Sequence, residues 1–293
     1  MSARQPCPNL AWYDVANPQS PDLDELAKRF RLHELQIEDC RHRPQRAKSE
    51  DHPGYIFAVL KKLHLNEDLS FHDLDLFIGK DFLITVHEGE SELVEKVVKR
   101  ALDQPLTRLD KLAYVISDVV VDEYIAAVDQ FAEEIGEIED EVLENPDPLT
   151  LSMIFALKRK LIEFRRVVAG MREVVNSFMR REASMLGDDL DVYFRDIYDH
   201  LVRTLDLVET HRDLLTGSLD IYLSAVANRT NDVMKVLAIY GTVALPLVII
   251  TGFFGMNLHL PWAEKSHGVW YAVALMLTST VMVLIYFKRK GWF

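Results

Sequence analysis

The chain has 293 residues, 27% of them charged, and a formal net charge of −13. This acidic balance argues against a nucleic-acid partner, and the charged content excludes a protein that lies mostly within a bilayer. Two cysteines, Cys7 and Cys40, are too few for a disulfide framework or a four-cysteine zinc site, which suits a reducing cytosol.

Met1 to Leu10 contains Arg4 but no apolar core, so it does not read as a secretory signal. Pro21 to Leu32 has helical spacing, and Tyr55 to Leu65, Phe71 to Ile78 and Phe82 to His87 read as strands. Asn66-Glu67-Asp68 and Gly79-Lys80-Asp81 separate these strands with turn chemistry, which predicts an antiparallel meander. A small α/β layer results, and Ser91 to Leu102 begins the next helix. His64, Glu67, Asp68, His72, Asp73 and Asp75 superficially offer metal ligands. From Phe71 to Phe77, however, polar and apolar residues tend to alternate without a fixed ligand spacing, so this stretch reads as a half-buried strand.

After Pro105 there is no glycine from Leu106 to Ile135, and apolar residues recur at helical spacing. A long helix should run to about Glu144. Asn145-Pro146-Asp147-Pro148 breaks it, and Leu149 to Arg181 resumes the helical period, which predicts an antiparallel helical hairpin. One arm is acidic, from Glu133 to Glu144; the other carries Lys158, Arg159, Lys160, Arg165, Arg166 and Arg172. These runs read as solvated, paired helix faces.

Between Leu190 and Phe254 the first proline is Pro246 and the glycines are Gly217, Gly241 and Gly252, so one helix of roughly 100 Å can run from the cytosol into the membrane. Ile197, Leu201, Leu205, Val208, Leu215, Leu219, Tyr222 and Val226 form a packing stripe on it. So long a helix needs cover, and self-association about an axis supplies it.

Val236 to Phe254 and Val269 to Phe287 contain no charged side chain. Each has the roughly 20 residues that cross about 30 Å of hydrocarbon. Arg229 and Lys235 precede the first span and Lys288, Arg289 and Lys290 follow the second, while Leu258 to Gly268 holds only Glu264 and Lys265 as full charges. Positive flanks stay inside, so both termini should face the cytoplasm. The expected organisation is therefore 1–235 cytoplasmic, 236–254 first span, 255–268 external loop, 269–287 second span and 288–293 basic tail.

Asn231, Met234, Leu237, Gly241 and Leu245 fall on one face of the first span. By themselves they read as a packing stripe. Gly255-Met256-Asn257 reads on its own as a helix-terminating cap. It also offers neutral oxygens suited to Mg²⁺, which gives up its water shell reluctantly. Phosphate loops, zinc-protease signatures, serine-hydrolase elbows and dinucleotide fingerprints are all missing from the sequence, so an enzyme reading has no positive support.

The stretch Tyr193 to His200, Val208-Glu209-Thr210, Thr230 to Lys235, the tripeptide 255–257 and the terminal Lys288-Arg289-Lys290-Gly291-Trp292-Phe293 together resemble the CorA family of divalent-cation channels. The resemblance extends back through Leu35 to Arg43. It implies an α+β membrane protein: a cytoplasmic α/β domain with a helical hairpin, a very long pore helix, two C-terminal transmembrane helices and a homopentameric funnel in a bacterial inner or plasma membrane. It implies a selectivity filter at Gly255, Met256 and Asn257, with Met234, Leu237, Gly241 and Leu245 lining the pore and Asp220 and Asn231 as polar rings. It implies regulatory Mg²⁺ between subunits, with Asp39 facing Asp196 and Glu38 facing Asp118. The implied cargo is Mg²⁺, with Co²⁺ and Ni²⁺, driven by the membrane potential. The outer loop departs from the family's acidic motif, with Glu264 as a rough substitute and His259 and His267 nearby. Zn²⁺ transport of the ZntB type is thus the alternative, and a membrane-anchored metal sensor or scaffold is a second one.

Overall fold

The computed structural model describes residues 6, 10–65, 69–89, 92–103, 106–144, 146–180, 185–256 and 267–292. They divide into two units, Met1–Leu219 and Asp220–Phe293.

The first unit is built on a five-stranded sheet of β1 (Trp12–Val15), β2 (Lys48–His52), β3 (Tyr55–Leu65), β4 (Leu69–Gly79) and β5 (Leu83–Val86), in the order β1-β5-β4-β3-β2. The expected meander is present: β3 pairs antiparallel with β4 in the register Phe57↔Phe77, and β4 with β5. β2 extends the sheet antiparallel to β3, and β1 joins β5 in parallel. Gly79 makes the β4–β5 turn possible, because a Cβ there would collide with the Phe82 ring.

Both faces of the sheet are covered. Helices α1 (Pro21–Phe30) and α2 (Glu34–Arg41) close one face, where Leu23, Leu26, Ile37 and Cys40 pack on Tyr13, Phe57, Val59, Phe77 and Ile84. The intervening residues Ile56, Ala58, Leu60, Leu74, Leu76 and Ile78 are equally buried. Strand alternation turns them to the opposite face, which meets α4 (Leu109–Glu144) and α5 (Pro148–Met179). There the Tyr124 hydroxyl donates to the Lys61 carbonyl. Each large apolar side chain so buried contributes on the order of 2 kcal/mol.

This double cover corrects the half-buried reading of β4. Asp73 and Asp75 do not point to solvent but are 3% and 0% exposed. Such burial requires partners. Lys61 pairs with Asp73, and Arg43 lies 2.5 Å from Asp75 while donating to the Cys40 and Val86 carbonyls.

The hairpin of α4 and α5 is as expected. Asp147 caps α5 by accepting from Leu149 and Thr150, and Pro148 opens the helix. Its core includes the edge-on pair Phe131–Phe164. Among the described residues one ion pair, Lys160–Glu134 at 3.2 Å, joins the charged arms; Arg165 turns instead to Glu209. α3 (Glu92–Asp103) packs on α4.

A single 64-residue helix, α6 (Asp191–Phe254), runs on from the first unit into the second. Within the first unit its residues Ile197, Leu201, Thr204, Val208, His211, Leu215 and Ser218 are buried. Their alternating steps of four and three make a heptad seam. α7 (Gly268–Arg289) completes the chain.

Candidate functional site

In the second unit, α6 beyond Asp220 and all of α7 are long and apolar enough to cross a membrane, and they expose that apolar surface. Leu237 is 71% exposed and Val269 74%. Asn231, Met234, Leu237, Gly241 and Leu245 are all exposed, and their spacing sets them on one helix face. Asp220 is exposed at the start of this segment. The helix ends at Phe254, and Gly255 and Met256 follow with the Gly255 amide donating to the Thr251 carbonyl at 2.9 Å. A Cβ on Gly255 would come within 3.0 Å of that same oxygen, so a side chain here crowds the turn. Asn257 and Glu264 lie outside the described residues.

The four acids expected to be regulatory separate into two pairs within one chain. Glu38 and Asp39 sit on α2; Asp118 is on α4 and Asp196 on the facing part of α6. No hydrogen bond or ion pair among the described residues links one pair to the other. Nor does any group of three or more His, Cys, Asp or Glu side chains among them assemble a metal site.

Each pair has an inner and an outer member. Asp39, 27% exposed, receives Lys48 Nζ at 2.7 Å. Asp118, 9% exposed, receives Arg100 Nη2 at 2.9 Å. Burial, and then the charge of Asp122, raise the Asp118 carboxyl above its ordinary pKa, while Arg100 opposes them. The outer acids Glu38 and Asp196 are 60% and 64% exposed and, among the described residues, have only His42 and His200 as ionic partners, at 3.9 and 4.0 Å. All four offer oxygen, the donor that hard divalent cations prefer. The structure brings Asp118 and Asp196 close enough for their charges to act on one another.

Lys48, Arg100 and His200 were not foreseen from sequence. His200 sits at i+4 from Asp196, a readable helical signal. Arg100 and Lys48 reach their acids across separate elements, which no local pattern announces. Cys40 beside Asp39 is buried, and burial followed by the charge of Asp75 pushes its thiol pKa far up, so it offers no thiolate to a soft ion.

A mixed α/β unit, a very long helix and two apolar C-terminal helices define a class of integral membrane ion transporters rather than of enzymes. The model of the family described as "CorA-like Mg2+ transporter protein" matches residues 9–289, and the chain belongs to that family. It is 34% identical over 292 residues to the cobalt/magnesium transport protein CorA of Thermotoga maritima, covering 96% of this chain and 83% of that protein. The fold matches the solved structure of the CorA magnesium transporter from Methanocaldococcus jannaschii with a TM-score of 0.87, at 24% identity over 96% of this chain and 91% of that one. The ZntB cytoplasmic domain from Vibrio parahaemolyticus matches at a TM-score of 0.64 and 14% identity, over 74% of this chain and 88% of that one.

Proposed function

We propose that this chain admits Mg²⁺, with Co²⁺ and Ni²⁺ as further cargo, through a pore built from five copies in a bacterial inner or plasma membrane. The observation that carries this reading is the family match across 9–289, joined to 34% identity with a cobalt/magnesium transport protein. The exposed stripe of Asn231, Met234, Leu237, Gly241 and Leu245 supports it, because a polar and apolar face with no cover in one chain suits an axis shared by several. Helix bounds at Phe254 and Gly268 support residues 255–268 as the external loop between spans 236–254 and 269–287. The basic Lys288 to Lys290 then keeps residues 288–293, like residues 1–235, in the cytoplasm.

Transport requires no nucleotide. Two charges crossing 100 mV inward gain about 4 to 5 kcal/mol. Gly255, Met256 and Asn257 form the outer mouth, where amide and carbonyl oxygens accept from a hydrated ion, and Glu264 adds charge near it. Asp220 and Asn231 serve as polar rings on the cytoplasmic side.

Control comes from Asp39 with Asp196, and Glu38 with Asp118, meeting across subunits. Bound Mg²⁺ screens their repulsion and favours the closed form, so falling cytosolic Mg²⁺ shifts the population toward the open one.

Dye-detected uptake into liposomes holding the purified protein tests the reading. Mg²⁺ uptake should grow with inside-negative potential and fall to the protein-free background in Asn257→Ala. Zn²⁺ uptake without Mg²⁺ uptake would overturn the cargo, and no flux of any ion would leave a sensor or scaffold.

A further inference from the structure

The inner acids of the two pairs share an arrangement that the function above does not use. Lys48 on β2 contacts Asp39 at 2.7 Å and, with the same Nζ, Glu50 at 2.6 Å. Arg100 on α3 contacts Asp118 at 2.9 Å and, through Nη1, Asp122 at 3.3 Å. In both places one cation is held between an acid of the regulatory set and a second acid outside it.

The geometry gives each cation somewhere to go. Glu50 is further fixed by Gln36, whose amide donates to Oε2 at 3.2 Å, so Lys48 can release Asp39 without losing its other partner. Arg100 can likewise stay on Asp122, which is 51% exposed. The acids are the inner members, but their cations are open to solvent, Lys48 at 30% and Arg100 at 45% exposure, so each cation can leave its acid without being stranded in the interior. A divalent ion approaching Asp39 or Asp118 therefore meets a displaceable competitor, not a blocked carboxylate. Among the described residues the outer acids, with only distant histidines, have no comparable competitor.

We propose that Lys48 and Arg100 are tethered counterions: they occupy Asp39 and Asp118 when divalent cation is scarce and withdraw onto Glu50 and Asp122 when it binds, raising the Mg²⁺ concentration at which subunits lock. This rests on the regulatory reading of those acids. It makes the set point of the device a property of two basic residues that never touch the ion.

The test is a Mg²⁺ titration of the thermal midpoint of the full-length protein in detergent, for wild type, Lys48→Gln, Arg100→Gln and the double variant. Each single change should lower the Mg²⁺ concentration giving half the shift by about threefold, and the pair by about tenfold, in keeping with ion pairs whose cation is reached by solvent. Lys48→Arg should keep the wild-type value. Lys160→Gln, which removes the same charge from the Lys160–Glu134 pair elsewhere, should also leave it unchanged. An unaltered or higher concentration in the Gln variants overturns the counterion role, and so does an equal fall in Lys160→Gln. If Mg²⁺ does not shift wild type at all, nor Asp39→Asn and Asp118→Asn differ from it, the regulatory reading itself fails and the counterions fall with it.

Discussion

The two units treat exposed apolar surface and buried charge in opposite ways. The first unit gathers most of its large apolar side chains into a core and buries carboxylates under 5% exposed inside its sheet, leaving only scattered ones such as Leu143 bare, whereas the second displays apolar side chains along almost the whole of two helices. Apolar surface that one chain leaves bare must be covered by lipid or by other copies, because water would not tolerate it. Charge that one chain buries must be paired within that chain. The first unit thus has a core of its own, while the apolar surface of the second depends on lipid or other copies for cover.

Cutting a buried pair strains this contrast most. Arg43→Met leaves Asp75 without its guanidinium and should destabilise the first unit by about 3 to 5 kcal/mol, with Asp75→Leu added on top recovering much of the loss. Thermal unfolding of the detergent-purified chain reads both. If the single change is neutral, the first unit is not self-sufficient in charge.

A matched pair of exposed leucines comes next. Leu277→Arg, near the middle of α7 and 63% exposed, should cost about 2.5 to 3.5 kcal/mol of insertion and reduce the yield in the membrane fraction. Leu143→Arg, 70% exposed in α4, should change stability by less than about 0.5 kcal/mol. Equal effects would erase the distinction between the units.

The pH response is smaller. Burial pushes the Asp75 carboxyl up to about 6, against the pull of Arg43. A raised carboxyl binds its proton more tightly in the folded state than in the unfolded chain, so this group's contribution is present below about pH 4 and is lost as pH rises toward 6. That loss is on the order of 3 kcal/mol. Asp75→Asn should flatten the melting profile across that window. Smallest of all, Asp147→Ala should cost about 1 kcal/mol by removing the cap of α5.

Long elements with local signals were legible in the sequence. β3 was bounded correctly because turn residues flank it, and α4 and α5 because Pro146 and Pro148 interrupt an otherwise unbroken helical period. β1 was missed because it is four residues long and pairs with a strand about seventy positions later. β2 was missed because Lys-Ser-Glu-Asp-His has no apolar alternation and becomes a strand only by pairing with β3. α2 carries the Glu38 and Asp39 of the resemblance, yet its short polar sequence gave no helical pattern of its own. The stripe from Asn231 to Leu245 was readable as a helical face. The counterions were not, since Arg100 reaches Asp118 through the packing of α3 on α4.

The seam of α6 carries one further consequence. Its buried positions alternate between apolar residues and Thr204, His211 and Ser218, and the two hydroxyls donate back to their own helix, to the His200 and Leu214 carbonyls. Among the described residues the imidazole Nδ1 of His211 has no partner, and burial lowers its pKa. A zipper with every second tooth polar holds less firmly than one of leucine alone, and the hydroxyls need no new partner when it parts. The longest helix of the chain is fastened to its own domain by a clasp that is half grease and half hydroxyl.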